Sequence, residues 1–112
     1  MTNKLHQYIL NHCSITVTPE AEYLHPKDVF EDERDVHHVI KESEWNSWAW
    51  CCVCVTVTFH GITESQYMGT CSYNDKKQFE DDGYYVDMVD ECVTRLTERV
   101  TKLCQTVTSL NQ

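Results

Sequence analysis

Twelve residues from Trp48 to Phe59 read Trp-Ala-Trp-Cys-Cys-Val-Cys-Val-Thr-Val-Thr-Phe, with no charge, Gly or Pro among them. A run this rich in β-branched and aromatic side chains, alternating in polarity, predicts a central β-strand. One face carries Ala49, Cys51, Val53, Val55, Val57 and Phe59 and belongs on a core. The other carries Trp48, Trp50, Cys52, Cys54, Thr56 and Thr58, a mixture that suits a half-covered or partner-facing surface.

The same reading extends along the chain. Residues 2 to 11 fit either a short helix or a frayed strand. Ser14-Ile-Thr-Val-Thr18 alternates and stops at Pro19, which predicts a strand. A loop follows, and Phe30, Val36, Val39 and Ile40 predict an amphipathic helix from Val29 to Glu44. His60-Gly-Ile-Thr-Glu64 predicts a hairpin loop. Ser65 to Tyr73 predicts an antiparallel strand with Tyr67, Gly69, Cys71 and Tyr73 on one face. A short helical turn is expected at Lys76 to Glu80, ended by Gly83. From Tyr84 to about Val107, Tyr85, Val89, Cys92, Leu96, Val100, Leu103 and Val107 recur at steps of three and four, the strongest helix signal in the chain. The expected fold is a single α+β domain, 1–112, with β-α-β-β-α order. In it a small antiparallel sheet carries helices packed on one face.

Charge sharpens the picture. The chain has 18 acids and 9 bases, a formal net charge of −9. Phosphates attract Lys and Arg, so direct binding to nucleic acid is not expected, nor is binding to an anionic membrane. The acids are clustered. Residues 19–44 hold nine acids against three bases, and residues 80–91 hold six acids and no base. Merged on one surface, these would imitate a phosphate backbone and occupy a basic nucleic-acid channel of a partner protein. The partner-binding candidates are Glu31, Asp32, Glu33, Asp81, Asp82, Asp87, Asp90 and Glu91, with Trp48 and Trp50 as aromatic contacts. The bland alternative is an acidic surface that keeps a small protein dispersed.

The thiols give no catalytic pattern. Cys13, Cys51, Cys52, Cys54, Cys71, Cys92 and Cys104 are seven, an odd number, and no stretch reads as a signal peptide. Reduced, largely buried cysteines in a cytoplasmic protein are expected. Cys51, Cys52 and Cys54 with His60, or the pair His37-His38, are the conceivable metal ligands. No C-x2-C pair is present, Cys51 and Cys52 point to opposite faces, and Cys52 and Cys54 lie about 6.5 to 7 Å apart along a strand. No zinc, no other cofactor and no enzymatic activity are expected.

Three motifs carry a resemblance. Trp48-Ala-Trp-Cys51, then Gly69-Thr-Cys-Ser-Tyr73, then Phe79 with Gly83-Tyr-Tyr-Val-Asp-Met88, resemble a set of small proteins encoded in phage and mobile-element genomes. The resemblance covers roughly residues 46–92 and implies phage origin. Small acidic phage proteins are often inhibitors of host defence, of the anti-CRISPR or anti-restriction type, acting in the host cytoplasm on a nuclease or effector complex. That is what the resemblance implies, and it carries over no functional residue. The competing expectations are a homodimer built through the sheet face with Trp48 and Trp50 inside, and a Cys/His metal protein.

Overall fold

A computed structural model describes residues 3–111. The elements run α1 (Asn3–His12), β1 (Ser14–Glu20), a 3-10 turn (Pro26–Asp28), α2 (Glu33–Ser43), β2 (Cys51–Phe59), β3 (Ile62–Cys71), α3 (Lys76–Glu80) and α4 (Gly83–Leu110). The strands form one antiparallel sheet in the order β1-β2-β3. The expected α+β class and small sheet are present, with the N-terminal segment resolved in favour of a helix.

β2 is central because its apolar face has two layers to meet. Cys51, Val53, Val55, Val57 and Phe59 point into a core completed by Met88, Val89, Cys92, Val93 and Leu96 of α4, and by Ile9 of α1. The fully buried Val, Leu and Ile side chains among these contribute about 1.5 to 3 kcal/mol each. α4 runs alongside β2 in the same direction: Cys92 Sγ approaches the Val55 carbonyl, and Arg99 reaches Thr63 and Glu64 near the hairpin. His6 of α1 lies 3.2 Å from Asp90 of α4. α2 packs chiefly against the 3-10 turn.

The opposite face of the sheet is polar. Thr56 and Ser65 hydroxyls meet at 2.9 Å across β2 and β3, and Thr58 and Thr63 at 3.1 Å. Such cross-strand hydroxyl pairs fix register without a second core. The hairpin is tighter than the predicted loop. His60 and Gly61 alone make the turn, with φ of 48° and 78°, the left-handed pair that matches strand twist.

Four local expectations are corrected. β1 continues through Pro19 to Glu20, because an edge strand has one unpaired side and tolerates proline. α2 begins at Glu33 rather than Val29, since Asp32 accepts the Arg34 N–H as an N-cap and fixes the start. Gly83 opens α4 instead of closing α3. β3 contains a bulge: Met68 opposes Val53 and Cys71 opposes Cys51, so Gly69 and Thr70 share the place of one residue. That extra residue moves Cys71 onto the core face, away from Tyr67, which is 60% exposed on the open face.

The molecule is elongated. Its extents are 65 × 23 × 23 Å with a radius of gyration of 18.2 Å, against about 13 Å for a compact chain of this length. α4 causes this, since every residue from Thr101 to Leu110 is exposed.

Candidate functional site

The three motif segments meet in one place. β2 begins only at Cys51, so Trp48 and Trp50 precede the strand and do not share a face. Trp48 turns to the core and stacks on Phe79, with ring centres 6.1 Å apart. Its carbonyl accepts the Tyr73 N–H at 2.8 Å. Tyr73 and Tyr85 meet Phe79 edge-on at 5.3 and 6.0 Å. Tyr73 donates its hydroxyl to Asp82 at 3.1 Å, and burial with this carboxylate pushes the phenol pKa up. Trp50 packs on Phe30 and donates its indole N–H to the Leu24 carbonyl at 2.8 Å. Each motif therefore has a packing role in one aromatic junction joining β2, β3, α3 and α4.

Beside the junction sits a carboxylate latch. Glu22 accepts the backbone N–H groups of Leu24 and Thr70. Thr70 has φ of 53°, a costly conformation for a β-branched residue, and the Glu22 bond holds it there. Gly69 makes room, because a Cβ there would lie 3.0 Å from the Glu22 carboxylate. The Leu24 and Thr70 amides hold the Glu22 carboxyl below its usual range. A depressed folded pKa stabilises above the unfolded value of about 4.3 and loses that contribution as pH falls. Glu22→Gln is expected to lower stability by about 1 kcal/mol near neutral pH, and the deficit should shrink from about pH 4.5 downward. Urea midpoints of both proteins across pH check this; a deficit that persists undiminished below the unfolded carboxylate pKa means that the charge is not what holds the latch.

The acidic candidates divide by what they already do. Asp32 caps α2 and pairs with Arg34 at 3.1 Å, which lowers its pKa. Asp81 pairs with Lys77 at 3.4 Å, Glu91 with Arg95 at 3.4 Å, and Asp90 lies against His6. Asp82 occupies the N-cap position of α4 but spends its carboxylate on Tyr73. Glu31, Glu33 and Asp87, together with Asp35, are exposed, and their carboxylates have no hydrogen bond or ion pair among the described residues. The exposed aromatics are others than the pair expected: Tyr23 is 94% exposed and Trp45 71%. Pattern reasoning passes over Trp45, which falls between the predicted helix ending at Glu44 and the run that starts at Trp48.

The thiols are mostly sequestered. Cys51, Cys54, Cys71 and Cys92 are buried, Cys13 and Cys52 half-buried, and Cys104 exposed. Burial first, and the neighbouring Cys71 second, push the Cys51 thiol up to about 12. Burial likewise raises Cys13, Cys52, Cys71 and Cys92. Among the described residues no group of three or more His, Cys, Asp or Glu converges as a metal site, and no helix is long and apolar enough to cross a membrane. In comparisons with known proteins, no family model, curated protein or solved structure matches the chain.

Proposed function

We propose that the protein is a non-catalytic acidic binding module that docks on a basic, nucleic-acid-binding surface of a partner protein. With the phage-like motif pattern, the partner is a nuclease or effector complex of a host defence system, met in the host cytoplasm. The observation that carries the reading is that four of the acids near the starts of α2 and α4, Glu31, Glu33, Asp35 and Asp87, are exposed and unpaired among the described residues, on a chain of net charge −9. Acids already paired inside the fold have little left for a partner, whereas these four are free to meet Lys and Arg. One exposed ion pair is worth under about 1 kcal/mol, so affinity must come from several together.

The test is capture from a nuclease-treated bacterial lysate on the immobilised protein. Captured proteins should elute by about 0.5 M salt, where the Debye length is a few ångströms, and duplex DNA should compete them off. Reversing Glu31, Glu33, Asp35 and Asp87 together to Lys should lower capture by orders of magnitude while the melting temperature stays close to wild type. Capture that survives both salt and the fourfold reversal, and instead fails on Trp45→Ala, overturns the reading in favour of an aromatic contact.

A further inference from the structure

The apolar stripe of α4 does not stop where the sheet stops. Val89, Val93, Leu96, Val100, Leu103, Val107 and Leu110 follow one another at steps of four and three. That spacing averages 3.5 residues, the repeat of a coiled-coil seam, with Val and Leu in alternation from Val93 onward. Val89, Val93 and Leu96 are buried on the sheet and Val100 partly so. Leu103 is 55% exposed, Val107 49% and Leu110 81%. The same face of one helix thus serves a core for its first half and, among the described residues, meets nothing in its second.

We infer that the projecting end of α4 is a dimerisation helix whose occupant is a second copy of this chain, packed antiparallel. The geometry decides the direction. Arg99 reaches the Thr63 carbonyl at 2.9 Å and Glu64 at 2.8 Å, and the hairpin continues past them by only one further residue pair, Phe59 with Ile62, before the His60–Gly61 turn, so the sheet ends shortly beyond residue 99. A partner helix on the stripe must lie beyond that turn, in line with the sheet. A parallel copy would have to pass its own α4, from Gly83 to Arg99, through the space the hairpin holds. An antiparallel copy points its body away past Leu110, clear of the hairpin; Leu5 of α1 borders the Thr101, Cys104 and Thr108 side of α4, beside the stripe and not on it.

The sequence fits that direction. About Gln105 the stripe is self-complementary: Leu103 faces Val107 of the other copy, and Val100, which the core covers only in part, turns its open side to the other Leu110. Each of the four resulting layers pairs one Val with one Leu, so layer volumes are equal. Charge agrees. No acid follows Glu98, Arg99 is engaged by Glu64, and Lys102 lies off the stripe. An antiparallel pair also keeps the two acidic bodies at opposite ends, where a parallel pair would press them together. Four layers bury less than the roughly 1,000 Å² of a stable complex, so the dimer forms at high micromolar concentration and exchanges rapidly.

Analytical ultracentrifugation of the wild-type chain from about 10 µM to about 1 mM should show the mass rising from 13.2 kDa toward twice that value. Leu103→Glu with Val107→Glu should remain monomeric throughout, with an unchanged melting temperature because both positions lie outside the core. Gln105→Glu, on the opposite side of the helix, should dimerise as wild type does. Orientation is read from Cys104, the exposed thiol, which in an antiparallel seam lies on the same edge as its mate near the centre. A short bis-maleimide should join two copies, and Cys104→Ala should abolish the product. A wild-type chain that stays monomeric at about 1 mM, or a double variant that dimerises equally, overturns the proposal. A dimer that Cys104 does not cross-link overturns the antiparallel arrangement.

Discussion

Phe79→Ala is expected to lower folding stability by about 3 to 5 kcal/mol, a large part of the total for a domain of this size. Phe79 is fully buried in a helix of only five residues, Lys76 to Glu80, which has little stability of its own. Its ring is the shared neighbour of Trp48, Tyr73 and Tyr85. Removing it leaves a cavity bounded by three large rings that cannot all move in. Phe79→Leu should recover more than half of the loss. Urea unfolding followed by tryptophan fluorescence measures both. A deficit of less than about 1 kcal/mol for the alanine variant would show that the junction relaxes around the gap.

The second large effect comes as a contrast. Leu96→Ala should cost about 2 to 5 kcal/mol, and Leu103→Ala less than about 0.5 kcal/mol in dilute solution. The two leucines share a residue type, a helix and a stripe position seven residues apart. They differ in surroundings, Leu96 being fully buried and Leu103 55% exposed. Similar costs for the two, measured below about 10 µM, would mean that the last turns of α4 are covered already in a single copy.

Much of the fold is legible in local pattern. Period-two alternation places β2, because one of its faces is buried throughout, and steps of three and four place α4, whose stripe is buried as far as Leu96 and partly at Val100. The failures have long-range causes. Nothing near Thr70 announces a bulge; it depends on Glu22, 48 residues away in sequence, reaching the Thr70 amide. Trp48 and Trp50 read as neighbours on one face until the turn before Cys51 separates them toward Phe79 and Phe30. The acidic clusters were visible from composition, but which acids are spent was not. Asp82 is committed by a tyrosine nine residues earlier, and Asp90 by His6 on another helix.

The bare end of α4 has a consequence for local folding. Ten residues are fewer than the roughly 12 to 15 that an isolated helix needs in water. Thr101, Thr106 and Thr108 weaken the segment further, and Thr106 bonds back to the Lys102 carbonyl. In a single copy these turns open readily, and their amide hydrogens should exchange orders of magnitude faster than those of Val89 to Leu96. Pairing would then order the segment and bury it in one event. Its affinity would carry the entropy of that ordering, so a change that merely stiffens the last turns, such as Thr108→Ala, would tighten association without adding a contact.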